Sequence, residues 1–155
     1  MHITQWGEYG IHCSVAIARK EAQSGQAVSA AEIAEVQHIP LQYTQQILQR
    51  LRRKSVIKSV RGPQGGYRLA RSPKEITLYD ILLACEGESF AVICEAKPLN
   101  PQRCSPTTQC NLRPVWYKLR EHVNSFLGDY TLDAILIESA GMERPVKIGE
   151  RRGKK

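Results

Sequence analysis

The sequence predicts a mainly α-helical fold with a small β-wing, arranged as a winged helix-turn-helix domain followed by a long dimerisation helix. Two short amphipathic helical segments meet at His38-Ile39-Pro40, a break that suits the tight turn of a helix-turn-helix. Soon after them, two alternating segments flank the glycine-rich stretch 61–66, a pattern typical of a β-hairpin. These two observations together favour the winged class.

The first two helices are predicted from apolar spacing and from a cap. Apolar residues recur from Thr4 to about Gln23 with no turn residue after Gly10, which indicates a largely buried opening helix. Ser29 precedes a second helix, and Glu32 three residues later completes the pattern of a capping box. The proline break then ends this short helix.

The third helix is predicted from Leu41 to about Lys54 and is strongly amphipathic. Its inward face consists of Thr44, Ile47, Leu48 and Leu51. Its outward face consists of Gln42, Gln45, Gln46, Gln49 and Arg53. In a helix-turn-helix this second helix of the pair is the one that lies in the DNA major groove.

The wing and a fourth helix follow. Residues 56–60 alternate like a strand, 61–66 form a turn, and 67–70 return as the antiparallel partner. Thr77 is suited to cap a helix that carries Leu78, Ile81, Leu82 and Cys85 and ends at Gly87.

Two helices are predicted near the end of the chain. Pro114 suits a first helical position, and an apolar stripe then continues to Gly128. The stripe consists of Val115, Leu119, Val123, Phe126 and Leu127. A shorter helix begins at Thr131. Because one short helix gives little cover to such a stripe, we expect a second subunit to cover it.

The 155 residues suffice for one domain with an appendage. The predicted parts are a DNA-binding domain over 1–88, a cysteine-containing loop over 89–112, dimerisation helices over 113–141 and a flexible basic tail over 142–155. No run of 18 apolar residues and no charged-then-apolar leader is present, so a cytoplasmic location is expected.

The positive charge is concentrated in one segment. Between Val36 and Lys74 there are nine basic residues and no acidic one, while the rest of the chain holds 13 basic and 15 acidic residues. Such a segment favours a polyanion partner, and the adjoining helix-turn-helix makes double-stranded DNA the expected one.

Glutamine side chains can pair with the edge of adenine in the major groove, and arginine can neutralise phosphate. Arg61 beside a glycine-rich turn can enter a narrow minor groove. The alternatives are an ordinary solvated helix face and a plain hairpin turn. The candidate DNA-binding residues are Gln42, Tyr43, Gln45, Gln46, Arg50, Arg52, Arg53, Lys58, Arg61, Gly62, Pro63, Gln64, Gly65 and Tyr67.

The odd number of cysteines, five, argues against a disulfide framework. Three of them, in the pattern Cys94-x9-Cys104-x5-Cys110, are candidate thiolate ligands of iron-sulfur or zinc that need one more ligand, or else free regulatory thiols. Cys13 and Cys85 lie on apolar helical faces and are expected in the core.

Glu8 and His12 lie four residues apart on one face of the opening helix, where they can bind a metal or form a surface hydrogen bond. No redox CxxC pair, no HExxH pattern and no convergent acid-base pair is present, so an enzyme is not expected.

These residues resemble the winged-helix iron-sulfur regulators typified by IscR, NsrR, RirA and RsrR, the Rrf-two superfamily. The resemblance covers roughly residues 1–141, and the wing carries its most specific part. The matching segments are Met1-His2-Ile3-Thr4, Gly7-Glu8-Tyr9-Gly10-Ile11, Ile33-Ala34-Glu35, Ile39-Pro40-Leu41-Gln42-Tyr43, Leu51-Arg52-Arg53 and Ser59-Val60-Arg61-Gly62-Pro63-Gln64-Gly65-Gly66-Tyr67-Arg68-Leu69.

The resemblance implies a homodimeric bacterial transcription factor, often a repressor, that holds an iron-sulfur cluster near its dimer interface. The three loop cysteines match the family's ligands in order, although the nine-residue first gap is longer than usual. In some members Glu8 corresponds to a fourth ligand of a 4Fe-4S cluster from the partner's first helix. The Glu8 and His12 pair resembles RsrR-like members, which hold 2Fe-2S with two cysteines, a glutamate and a histidine, and this type is slightly favoured.

The resemblance also limits what can be said about the operator. In IscR-like members an acidic residue of the recognition helix tunes the choice of site, and Gln45 stands at that position. The DNA sequence preference of those members is therefore not transferred. A regulator that senses through metal-free or zinc-bound cysteines is the alternative to the cluster.

Overall fold

The computed structural model describes residues 3–88 and 110–141. The described helices and strands are α1 (Gln5–Ser24), α2 (Ala30–Gln37), α3 (Leu41–Arg53), β1 (Ile57–Val60), β2 (Gly66–Leu69), α4 (Leu78–Glu86), α5 (Arg113–Asp129) and α6 (Leu132–Gly141). This order confirms the predicted class, mainly α with a small β-wing. The basic tail 142–155 and most of the cysteine loop, including Cys94 and Cys104, lie outside the described residues.

Side-chain caps fix the starts of the helices. The Ser29 hydroxyl accepts a hydrogen bond from the Glu32 backbone N–H at 3.1 Å, as predicted. The Glu32 carboxylate, however, accepts from Lys20 Nζ at 2.7 Å instead of closing a capping box. The lysine of the adjacent α1 gives a charge-assisted bond that a neutral backbone amide does not match. A complete capping box starts α4, where Thr77 and Asp80 bond each other's backbone N–H.

The core lies where α1, α3 and α4 pack together, with α2 and the wing against it. The predicted inward face of α3 is confirmed, since Thr44, Ile47, Leu48 and Leu51 are all fully buried. Cys13 and Cys85 also lie in the core, as predicted, with exposed fractions of 0% and 1%. Burial raises the pKa of each of these two thiols to about 12.

Helices α1 and α4 approach closely because α1 has glycines on the facing side. A β-carbon on Gly7 would lie 2.2 Å from Glu86 Oε1, and one on Gly10 would lie 2.4 Å from Cys85 Sγ. Any larger residue at either position would therefore push the two helices apart or displace the α4 side chain. This contact positions the end of α4 against the start of α1.

The wing is the antiparallel hairpin 57–69, with Ile57 opposite Leu69 and Val60 opposite Gly66. β1 starts one residue later than the predicted 56–60, and β2 begins and ends one residue earlier than the predicted 67–70, because the ladder runs from the Ile57–Leu69 pair to the Val60–Gly66 pair. Tyr67 also exchanges two backbone hydrogen bonds with Val28, at 2.8 and 3.0 Å. The wing is therefore anchored to the segment just before α2.

Helix α5 begins at Arg113, so Pro114 occupies the second helical position and not the predicted first one. The proline is still within the first turn, where its missing N–H costs no intrahelical bond. The helix also continues through Gly128 to Asp129, beyond the predicted end, and its cap is Tyr130, whose N–H bonds the Phe126 carbonyl at 3.2 Å.

Within the described part of the chain, α5 shows an apolar band to solvent. The exposed fractions are 53% for Val115, 42% for Leu119 and 61% for Phe126, whereas Leu127 is buried against the domain. The described residues of one chain therefore leave most of the predicted stripe uncovered. None of the described helices combines the length and the apolar character needed to cross a bilayer.

Candidate DNA-binding surface and metal-ligand residues

The outer face of α3 is an exposed row of amides. Four glutamines of this helix, together with Arg52 and Tyr67 of the wing, line a shallow groove between α3 and the wing. The four are Gln42, Gln45, Gln46 and Gln49, and all are exposed. Each amide offers both a donor and an acceptor, the combination that reads the edge of adenine.

The nine basic residues of the acid-free segment divide into two groups. Three have their guanidinium engaged within the chain, among them Arg68, whose Nε lies 3.9 Å from Glu21 Oε1. Arg71 donates to Asp80 Oδ2 at 3.0 Å, and Arg50 lies against neighbouring helices. The other six are Arg52, Arg53, Lys54, Lys58, Arg61 and Lys74, and each of them is exposed. These six charges are available to phosphates.

The tip of the wing is narrow because two positions of its turn, Gly62 and Gly65, do not accommodate a side chain. Gly62 has a φ of 121°, a backbone conformation that side chains rarely adopt. A β-carbon on Gly65 would lie 2.6 Å from the Val60 carbonyl oxygen. The exposed Arg61, Pro63 and Gln64 therefore project from a thin hairpin that can approach a groove closely.

Glu8 and His12 lie together on the exposed face of α1. Glu8 Oε1 is 3.9 Å from His12 Nε2, and the two side chains are 65% and 52% exposed. An exposed carboxylate and imidazole one helical turn apart fit two places of a mixed ligand set. Within 3–88 and 110–141, no three histidine, cysteine or acidic side chains converge on one point. The other ligands of such a set would therefore come from residues outside these ranges or from another chain.

Of the three predicted cysteine ligands, only Cys110 lies within the described residues. It is partly exposed and directly precedes the turn into α5. The expectations for Cys94 and Cys104 stay predictions.

Two residues near the site were not singled out from the sequence. Trp6 lies under α3 and contacts both Tyr43 and Arg50, and Glu86 caps the start of α1. Trp6 and Arg50 are far apart in the chain, so no local spacing signals their contact. The only available hint was a large aromatic residue in the first turn of a helix.

The helix pair α2–α3, the amide-rich face of α3, the exposed cations and the thin wing define a winged helix-turn-helix DNA-binding protein. Residues 3–138 match the family model of Rrf2, described as an iron-dependent transcriptional regulator. The chain therefore belongs to the Rrf2 family and is a DNA-binding transcriptional regulator, as the resemblance predicted, and not an enzyme.

Individual relatives agree with this assignment. The chain is 32% identical over 139 residues to the HTH-type transcriptional regulator IscR of Aliivibrio salmonicida, covering 90% of this chain and 79% of that protein. It is similar in structure to T. potens IscR, with a TM-score of 0.71, 27% identity and coverage of 94% and 93%. It is also similar to CymR, the global cysteine regulator of B. subtilis, with a TM-score of 0.69, 27% identity and coverage of 89% and 98%.

Proposed function

We propose that the protein is a homodimeric transcriptional repressor of the cytoplasm that places both copies of α3 in successive major grooves of an operator. The observation that carries this proposal is the exposed amide face of α3 beside the exposed cations and the wing. The amides read bases, Arg52 and Arg53 neutralise phosphate, and Lys58 and Arg61 follow the backbone toward the minor groove.

The exposed band of α5 supports the dimer. Apolar side chains recur three or four residues apart along one side of the helix, at Val115, Leu119, Val123 and Phe126. The exposed Leu112 and Trp116 adjoin the start of this band. A 17-residue helix is about 25 Å long, enough to pair with a second copy along a continuous seam. A two-fold pair of this kind would present its recognition helices to half-sites roughly 34 Å apart.

The DNA proposal is tested by selecting binding sequences from a randomised duplex pool and then measuring affinity against salt. With three to six of the exposed cations on phosphates in each copy, the slope of log K against log salt should be about −5 to −11. Arg53→Gln should reduce the slope by about 2 for the dimer, whereas Arg19→Gln on α1 should leave it unchanged. A slope flatter than about −2 would contradict the proposed surface.

We further propose that the regulator senses redox state, nitric oxide or iron and sulfur status through an iron-sulfur cluster, with 2Fe-2S slightly favoured over 4Fe-4S. The candidate ligands are Cys94, Cys104, Cys110, Glu8 and His12. The family's description as iron-dependent, the similarity to IscR and the exposed Glu8–His12 pair support this choice. When bound, such a cluster supplies a one-electron redox centre.

In this proposal the two α1 residues have distinct tasks. The Glu8 carboxylate contributes a negative charge to the ligand set, and the His12 imidazole contributes a ligand whose second nitrogen can exchange a proton. Because both extend from the same side of a capped helix, the spacing of their β-carbons is set before any ligand binds.

The test is iron and acid-labile sulfide content, with absorption and EPR spectra before and after dithionite, on protein purified without oxygen. About two irons and two sulfides per subunit, with a rhombic signal on reduction, would support mixed ligation. Glu8→Ala and His12→Ala should then alter the spectrum, whereas Glu35→Ala, an exposed carboxylate on α2, should not. About four irons per subunit would replace 2Fe-2S by 4Fe-4S.

The second candidate is a metal-free or zinc-binding regulator that uses cysteine thiols as its sensor. The similarity in structure to CymR, described as a global cysteine regulator, favours it. Protein that holds no iron after reconstitution, but whose DNA affinity changes between hydrogen peroxide and dithiothreitol, would support this candidate over the cluster.

A further inference from the structure

One arginine of α3 joins three helices. The Arg50 guanidinium carbon lies 4.3 Å from the centre of the Trp6 ring, in cation–π geometry. The same guanidinium donates a hydrogen bond to the backbone carbonyl of Cys85, near the end of α4. Although Arg50 is exposed on its outer side, its charged group is directed toward α1 and α4.

Trp6 makes a second contact with α3. Its ring centre is 5.7 Å from that of Tyr43, with the planes inclined at 54°. Tyr43 and Arg50 are two helical turns apart, about 10 Å along the axis. The indole therefore supports α3 at two separated points, and so restrains both the height and the tilt of the helix.

The end of α4 is itself tied to the start of α1 by the residue after Cys85. Glu86 Oε1 accepts hydrogen bonds from the Thr4 N–H at 2.6 Å, the Thr4 hydroxyl at 2.9 Å and the Gly7 N–H at 3.0 Å. A carboxylate at a helix N-terminus is favoured by the helix dipole. With the two Arg50 contacts, this closes a ring of polar and cation–π contacts through α3, α4 and α1.

We propose that Arg50 is a positioning residue, which sets the recognition helix against α1 and α4, and not a phosphate contact. The inference rests on the proposed DNA binding through α3 and assigns a different role to one of its candidate residues. Trp6 is two residues before Glu8, so the same ring of contacts links the α1 face that carries Glu8 to the helix that reads DNA. A shift at the start of α1 would reach α3 through this arginine.

The two roles of Arg50 predict different responses to conservative substitution. A phosphate contact needs only charge, so Arg50→Lys would retain most of the affinity. A positioning role needs the planar guanidinium, which stacks on the indole and donates directionally, so Arg50→Lys and Arg50→Gln should both fail. We expect each to lose at least about 10-fold in affinity with the salt slope unchanged within about 0.5.

The matched control is Arg53→Gln on the same helix, which should reduce the slope by about 2. Trp6→Leu keeps Arg50 but removes its cation–π partner, and should reproduce the affinity loss at unchanged slope. Wild-type affinity in Arg50→Lys, or a slope reduced by about 2 in Arg50→Gln, would overturn the proposal. A flat salt response of the wild-type protein would instead overturn the DNA-binding surface itself.

A second readout needs no DNA. In a Trp116→Phe background, fluorescence reports Trp6 alone, since the chain contains two tryptophans. Removing the guanidinium in Arg50→Gln or Arg50→Lys should shift the emission of Trp6 to longer wavelength, while Arg53→Gln should leave it unchanged. Unchanged emission in the Arg50 variants would show that the contact is not formed in solution, and would overturn the inference whatever the DNA result.

Discussion

Replacing Gly10 by alanine tests the close approach of α1 and α4 described above. In an open helical position this change should stabilise the fold by about 1 kcal/mol, because alanine is the better helix former. At Gly10 the new β-carbon would lie 2.4 Å from Cys85 Sγ, whereas ordinary contacts lie at roughly 3.5–4.0 Å. The helices would have to separate by about 1 Å, or the cysteine would have to rotate.

The room for such relief is small. Cys85 is 1% exposed, and the new carbon would also lie 3.4 Å from both Cys85 Cβ and Ile81 Cγ2. Overpacking of this kind costs about 1–3 kcal/mol, which exceeds or cancels the gain in helix propensity. We therefore expect Gly10→Ala to lower the free energy of unfolding by about 1 kcal/mol, with 0 and 2 kcal/mol as the bounds.

The assay is urea unfolding followed by circular dichroism at fixed protein concentration, because dimer formation would couple stability to concentration. The matched control is Gly128→Ala in α5, where a β-carbon meets nothing within 4 Å, so a gain of about 0.5–1 kcal/mol is expected. Gly10→Ala combined with Cys85→Ala should show a favourable coupling energy of about 1 kcal/mol, since the clashing sulfur is gone. A Gly10→Ala protein as stable as Gly128→Ala would refute the close contact.

Four further outcomes are expected. At pH 8, Cys13 and Cys85 should alkylate much more slowly in the folded than in the unfolded chain, as followed by mass spectrometry. Burial excludes the reagent and also raises the pKa of each thiol to about 12. Between pH 9 and about 12 the folded chain keeps thiol protons that the unfolded chain loses, so the free energy of unfolding should fall as the pH rises. A free energy of unfolding that rises over this pH range would contradict the burial of the two thiols. Glu86→Gln should lower the free energy of unfolding in urea by about 1–2 kcal/mol, because a neutral amide replaces a charged acceptor of three hydrogen bonds. A change under about 0.5 kcal/mol would show that these bonds are not formed in solution. Leu48→Ala, at a fully buried position of α3, should lower the free energy of unfolding by about 2–5 kcal/mol. The exposed Gln49→Ala should change it by less than about 0.5 kcal/mol. Equal effects of the two substitutions would mean that a different face of α3 packs against the core.

Local patterns in the sequence were sufficient for the helices, the wing and the amide-rich face. Thr44, Ile47 and Leu48 were placed in the core by their spacing alone, because helical periodicity determines which side chains share a face. Over residues 3–88 and 110–141, the errors lay at the ends of elements and in the second half of one cap, at Glu32. There the deciding partner, Lys20, is supplied by a neighbouring helix.

The sequence also placed Glu8 and His12 on one face, since four residues make about one helical turn. It gave no information on which basic side chains make contacts within the fold. Arg50 and Arg53 have the same charge and lie three residues apart on α3, so composition treats them alike. Only the packing of α1 and α4 beneath α3 brings Trp6 and the Cys85 carbonyl to Arg50 and leaves Arg53 exposed. Periodicity is a local property of the chain, whereas the partner of a long side chain depends on contacts between residues that are distant in sequence. The amino-acid pattern therefore determined the recognition helix, and the tertiary structure decided which of its residues are directed outward and which hold the helix in place.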